Sequence, residues 1–394
     1  MALNSEINHD SFNTWRQRAE AEVCNLTREQ VHGEVDRHGI SSTLWSAVKP
    51  FLEAAVPREY GGLDAGLMPM ALALEALGRR GLGDATIVMT ALAAHALRRS
   101  GSDALKDLFL PKIARGAAKF CFAATEVAAG HNIFRTQTMA QPDQHGYRIN
   151  GTKTYISGID IADYMILICR TTSWEECRKA GFPKTHGITV LLVPTKAEGI
   201  SLTRMTTRGE GHLHQYQVTL NDVHVESSLT LGEADQGAMA LFIAMNPERI
   251  LFSATMLGVI DYCLSVATDH ALKRVVFGER PIASYQAVQH PLADVAIRRE
   301  ALQLLVAKAV TELDLGANPM EVGYLANCAK YLAAETGCKA VDAAITALGG
   351  RAFDEAVGLL DLMQTARLLK SAPISDAMIL NFVAEHRLGL TRSY

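Results

Sequence analysis

The sequence predicts an α+β fold, with a helical N-terminal part, a strand-rich middle and a C-terminal four-helix bundle. Three observations carry this. Apolar residues recur at a period near 3.6 up to about residue 117 and again from Gly237 onward. Between them, short β-branched runs are cut by turns. Helical and strand textures are segregated along the chain, whereas parallel βα units would alternate them.

The N-terminal part, residues 1–117, shows Ala- and Leu-rich periodic stretches over Gly66–Arg80 and Thr86–Ser100, punctuated by Pro57, Gly61-Gly62 and Gly81-Leu82-Gly83. In the middle part, residues 118–234, Gly187–Pro194 reads as a buried strand. Gln217–Val225 reads as strand interrupted by a turn at Asn221-Asp222. The last part, residues 235–394, holds periodic segments over 238–275, 284–313, 318–348 and 354–388, which predict the four helices of a bundle.

Composition narrows the class. The 394 residues are 48% hydrophobic and 20% charged, with a net charge of -4, as in a globular protein with a large core. Lys and Arg form no run longer than three, which argues against nucleic acid or an anionic membrane as a main partner. The seven cysteines are scattered without C-x-x-C spacing and predict reduced thiols in a reducing compartment. The first ten residues show no basic head or apolar signal core, and no apolar run approaches the roughly 20 residues of a membrane span. A cytoplasmic location without membrane contact is the expectation. The chain also lacks G-x-G-x-x-G, a P-loop, H-E-x-x-H and G-x-S-x-G, which removes the common routes to nucleotide, metal and serine chemistry. No metal site is expected.

Four groups of motifs remain. Phe120-Cys-Phe-Ala-Ala-Thr-Glu-Val-Ala-Ala-Gly130 pairs with Gly146-Tyr-Arg-Ile-Asn-Gly-Thr-Lys-Thr-Tyr-Ile-Ser-Gly158. Val56-Pro-Arg-Glu-Tyr-Gly-Gly62 precedes them; Lys273-Arg-Val-Val-Phe-Gly278 with Tyr285-Gln286, and then Ala347-Leu-Gly-Gly350, follow. In this order, over some 300 residues, they resemble the acyl-CoA dehydrogenase family. The resemblance implies a helical N-domain and a β-barrel-like middle domain seated on a four-helix bundle. It further implies FAD, α,β-desaturation of an acyl thioester, electrons leaving to an electron-transfer flavoprotein, and a homotetramer.

It also implies roles. Phe122, Ala124, Thr125, Tyr155 and Ser157 match positions that meet the isoalloxazine ring, Ser157 near the hydride-accepting N5 and Tyr155 against one face. Arg274, Phe277 and Gln286 match residues that a neighbouring subunit lends to the FAD pyrophosphate and adenosine, and Gly349 and Gly350 match the junction beside it. Arg suits a diphosphate because its planar fork is bidentate and permanently charged. The Phe277–Gln286 interval is one residue longer than the family's usual spacing.

The base is the decisive residue, because the α-proton needs a desolvated carboxylate. Most family members carry a Glu in a C-terminal Y-E-G-T-like stretch. Here Lys370-Ser-Ala-Pro-Ile-Ser-Asp-Ala-Met378 has none, with Pro373 or Ile374 at that position. Isovaleryl- and long-chain-type members carry the base on the first bundle helix, immediately before an Arg. Asn246-Pro-Glu-Arg-Ile250 matches that arrangement, so the resemblance assigns Glu248 as base and Arg249 to the thioester pocket. Glu248 also reads as a first-turn helix acid after Pro247, and Asp376 is a second carboxylate candidate. The Ile374 N–H is the candidate donor to the thioester oxygen, since Pro373 has no N–H. His131 stands where the family usually has the Ser of G-S-D, as a contact to substrate or flavin. A carrier-protein-tethered acyl substrate stays open, as does a flavin monooxygenase or nitrososynthase on the same fold. A DNA-binding flavoprotein relative would need a basic face that a charge of -4 does not supply.

Overall fold

The computed structural model describes residues 9–207 and 213–392. The N-terminal residues read above as lacking a signal core lie mostly outside the described residues. Six helices come first: α1 (His9–Val23), α2 (Arg28–His38), α3 (Ser42–Ala55), α4 (Met68–Gly78), α5 (Ala85–Ser100) and α6 (Asp103–Ala114). Polar side chains set where several of them begin. Thr27, Ser41, Asp84 and Ser102 each accept a hydrogen bond from a backbone N–H of the first turn, so the orphan donors there are satisfied.

The middle of the chain forms one seven-stranded sheet from β1 (Phe120–Ala123), β2 (Met139–Pro142), β3 (Gly146–Ser157), β4 (Tyr164–Arg170), β5 (Ile188–Pro194), β6 (Ile200–Arg204) and β7 (Gln215–Glu226). Its path runs β1-β4-β2-β3-β7-β6, with β5 paired to β4. The β1–β4 and β2–β4 pairs are parallel, and the remaining pairs antiparallel. β4 and β5 read as continuous apolar runs because both of their faces are covered. Ile166, Ile168, Val190 and Leu192 join the helical core, while Met165, Leu167, Leu191 and Val193 fill the core on the other side of the sheet.

The expected turn at Asn221-Asp222 is not a turn. β7 passes through it unbroken, Asp222 takes φ 54°, and its N–H donates to Asn150 Oδ1. The register against β3 slips there, so the pair marks a β-bulge. A short helix that the sequence reading did not expect, α7 (Trp174–Lys179), starts with a capping box between Ser173 and Glu176.

The C-terminal part is built around α8 (Ala238–Lys273), which packs against α4, α5, α9 (Gln286–Asp314) and α10 (Pro319–Leu348). Contrary to expectation, α8 contains a window long and apolar enough to cross a bilayer, of which 61% is buried in the molecule. A helix wrapped on several sides by other helices is apolar on most of its circumference. It comes very close to α4: a Cβ on Gly258 would lie 2.0 Å from the Glu75 carbonyl oxygen, and one on Gly78 would lie 2.3 Å from that of Thr255. The periodic segment expected over 354–388 is two helices, α11 (Leu359–Leu369) and α12 (Asp376–His386). Pro373 cannot continue a helix, and Ser375 caps α12 by accepting from the Met378 N–H.

Candidate active site

The ends of β1 and β3 are tied together by a buried ion pair. Lys153, fully buried on β3, donates to the Ala124 carbonyl at 3.0 Å and to Glu126 at 2.8 Å. Glu126 also accepts from the Gln137 and Thr138 N–H groups and from the hydroxyls of Thr136 and Thr138. Burial works against its charge, but Lys153 and these donors outweigh that and hold its carboxyl down at about 2. One residue on, the Thr154 N–H donates to the Thr125 carbonyl at 2.9 Å. Ala124 and Thr125 are thereby held beside Tyr155 and Ser157, and half-buried Phe122 packs its ring on the helical core. Glu126 and Lys153 lie inside the motifs quoted above, yet sequence reasoning gave them no role. The inward alternation of β3 was the available signal.

Ser157 accepts a hydrogen bond at 2.7 Å from Gln215 Nε2, directly opposite it on β7. Gln215 was not singled out by the sequence. His131 is exposed, just ahead of a 3-10 turn at Ile133–Arg135.

Glu248 lies in the middle of α8, not in a first turn, because the helix begins ten residues earlier at Ala238. Pro247 sits inside that helix and deprives the Ile243 carbonyl of its partner. Glu248 is 6% exposed. Among the described residues its carboxylate makes no hydrogen bond or ion pair. Burial pushes its carboxyl up from the ordinary 4.5 to about 7, against the pull of the Arg249 charge. Arg249 turns to neutral acceptors, donating to the Met245 carbonyl at 3.0 Å and to the amide oxygens of Asn246 and Asn327. Burial lowers its guanidinium to about 10.

Asp376, the second carboxylate candidate, is already engaged. Lys330 of α10, fully buried, donates to its Oδ1 at 2.9 Å, and Lys370 lies 3.8 Å from its Oδ2. Lys330 is one turn along α10 from Asn327, so the Asp376 and Arg249 contacts share one helix face. The segment 370–375 is closed by the Asp376 N–H donating to the Lys370 carbonyl, and among the described residues the Ile374 N–H donates to nothing.

Arg274, Phe277, Gln286, Gly349 and Gly350 are all exposed. They gather where α8 and α10 end and α9 begins, and the charges of Arg351 and Arg274 add to burial in lowering His270 between them. Among the described residues five non-glycines take positive φ. Three are Asp; the others are Tyr155 (φ 58°) and Phe277 (φ 51°), the latter with its ring wholly exposed. Positive φ at a bulky residue costs about 1–3 kcal/mol and concentrates at functional positions.

Models of the acyl-CoA dehydrogenase N-terminal, middle and C-terminal domains match residues 13–117, 121–223 and 235–387. The chain belongs to the acyl-CoA dehydrogenase family. It is 34% identical over the full length of both chains to acyl-CoA dehydrogenase FadE12 of Mycobacterium tuberculosis. It is 27% identical to an L-prolyl-[peptidyl-carrier protein] dehydrogenase of Serratia, over 86% of each chain. The fold superposes on an FAD complex of PigA with a TM-score of 0.87, at 24% identity over 99% of this chain and 100% of that one.

Acyl-CoA dehydrogenases are flavin oxidoreductases, and FAD is the cofactor of this family member. The residues present fit it. Among the described residues Gln215 Oε1 is a buried acceptor with no partner beside Ser157, a polar atom that a flavin edge can satisfy. Gly349 and Gly350 leave open space where side chains would stand.

Proposed function

We propose that this acyl-CoA dehydrogenase removes the α-proton of an acyl thioester with Glu248 while the β-carbon gives up a hydride, leaving a trans α,β double bond. The single observation that carries this is a buried, unpartnered carboxylate poised near neutrality on the central helix. Two electrons and two hydrogens leave the substrate: one proton to the Glu248 carboxylate, one hydride to the cofactor. When bound, FAD supplies the hydride acceptor.

Every other task falls to side chains and backbone of this chain. Burial destabilises the ionised form of Glu248, so taking up the α-proton relieves that cost and favours abstraction. Arg249, locked by two asparagines, supplies a fixed positive charge next to the base. The Ile374 N–H, free to donate, suits the thioester oxygen on which negative charge grows. Ala124, Thr125 and Ser157 would meet the ring edges and Tyr155 one ring face, on strands tied together by the Glu126–Lys153 pair. His131 lies on the exposed loop beyond Glu126 and suits a contact to the substrate's polar carrier.

Arg274 lies 26 residues along from Glu248, or about 39 Å at 1.5 Å per residue. One protomer therefore does not bring its base and its diphosphate-binding residues into a single site. This supports a homotetramer, or at least a dimer, in which Arg274, Phe277, Gln286, Gly349 and Gly350 serve a neighbouring copy. The fully exposed, strained Phe277 fits that placement. An electron-transfer flavoprotein is the proposed electron acceptor. Seven unpaired thiols favour a cytoplasmic, reducing setting.

A second reading keeps the chemistry and changes the carrier: an acyl group tethered to a carrier protein, supported by the Serratia relative being a dehydrogenase of prolyl-loaded peptidyl-carrier protein. The deciding experiment is anaerobic titration of the FAD-loaded protein with a panel of acyl-CoAs. Bleaching of the flavin absorbance by any of them supports the first reading. Bleaching only by acyl-carrier proteins supports the second. A spectrum that none of them changes refutes both.

A further inference from the structure

Gln215 opens β7 and faces Ser157, the last residue of β3, across the ladder. Side chains directly opposite in an antiparallel pair share one face of the sheet, so Gln215 reaches the same space as Ser157. Its Nε2 donates to Ser157 Oγ at 2.7 Å, which makes the hydroxyl an acceptor on that side and turns its proton elsewhere. The other end of the amide is different. Gln215 is 2% exposed, and among the described residues its buried Oε1 has no hydrogen-bond partner. Exchanging the amide N and O does not remove the problem, because an unpaired NH2 would then be buried in the same place. A buried polar atom left unmatched costs about 1–3 kcal/mol. A glutamine is kept dry here while half of its bonding capacity goes unused inside the protein.

We infer that Gln215 is a flavin-positioning residue: Nε2 fixes the Ser157 hydroxyl, and Oε1 accepts a hydrogen bond from an N–H or O–H donor of the bound cofactor. This rests on the reading that Ser157 lies at the isoalloxazine edge. It adds a residue that acts both directly, through its own acceptor, and through the serine.

The test uses full-length Gln215→Leu and Gln215→Met, each removing both polar ends while keeping bulk, with Ser157→Ala as a reference. FAD affinity is measured by fluorescence titration, and the visible spectrum and midpoint potential of the bound flavin are recorded without substrate. Loss of one or two net hydrogen bonds corresponds to roughly tenfold weaker FAD binding. The flavin band and potential should move in both Gln215 variants. A purely structural glutamine would leave band and potential in place even if thermal stability fell. FAD affinity within twofold of the parent, with unchanged spectrum and potential, overturns the inference. If Ser157→Ala is equally silent, the placement of Ser157 falls as well. A parent protein that takes up no FAD refutes the flavin reading itself, before Gln215 is at issue.

Discussion

Replacing Glu248 by Gln removes the charge of one buried side chain and changes little else in shape, and its consequences for rate and stability run in opposite directions. Between the ordinary value of 4.5 and about 7 for this carboxyl lies roughly 3 kcal/mol, at 1.36 kcal/mol per pH unit. Below pH 4.5 the group is protonated in both folded and unfolded chains and costs nothing. Between 4.5 and 7 the unfolded chain ionises while the folded one resists, so stability declines as pH rises. Above 7 both are ionised and the folded protein carries the full burial cost. Glu248→Gln should therefore match the parent near pH 4.5 and exceed it by up to about 3 kcal/mol at pH 8, read from urea unfolding at the two pH values. Turnover moves the other way. The parent's kcat/KM should climb through an apparent pKa near 7, about tenfold from pH 6 to pH 8, because only the ionised base abstracts a proton. The variant should lose that limb and at least about a hundredfold in rate, the lower end of what general-base catalysis contributes. Anaerobic stopped-flow reduction by a reactive acyl thioester measures this directly. Turnover within tenfold of the parent, or a stability gain that does not change with pH, would refute the assignment of Glu248.

Further outcomes follow from the neighbouring contacts. Asp376→Asn leaves fully buried Lys330 without its carboxylate and should cost about 3 kcal/mol in chemical denaturation. It should retain turnover within about tenfold, whereas a larger loss would return Asp376 to candidacy as the base. Arg274→Met should weaken FAD binding by about 10- to 100-fold in fluorescence titration, the equivalent of one charge-assisted hydrogen bond; unchanged affinity would detach Arg274 from the cofactor. Gly258→Ala would gain up to about 1 kcal/mol if helix propensity decided the matter. Because the new Cβ would meet the Glu75 carbonyl at 2.0 Å, a net loss of about 1–3 kcal/mol is expected instead. An equal or higher melting temperature would show that the α4–α8 crossing opens without cost.

The features legible in the sequence are those whose cause is local. The apolar run of β5, the periodic stretches that became α4 and α5, and the glycines of the motifs each act within a few residues. Glu248 was singled out through a resemblance, by its place immediately before Arg249; the proline ahead of it suggested a first-turn helix acid instead, and α8 in fact begins ten residues earlier. The features that escaped depend on partners far along the chain. Lys330 on an amphipathic helix reads as a solvated cation until α12 returns 46 residues later to cover it. Gln215 reads as one more strand residue until the β3–β7 register sets it opposite Ser157, 58 residues earlier. The break between α11 and α12 was in principle readable, since Pro373 was in view and its effect on a helix is local.

The same distinction bears on the chemistry. A motif can single out a candidate base, but the property that would suit Glu248 to the proposed role is a carboxyl raised to about 7, and that is a property of burial. Glu248 lies on the central helix α8, and α10 engages Arg249 through Asn327 instead of leaving it to the carboxylate. Had Arg249 paired with Glu248, its charge would have drawn the carboxyl back toward or below its ordinary value, leaving a weak base. The two asparagines that engage the guanidinium are therefore as much a part of the proposed catalytic arrangement as the glutamate.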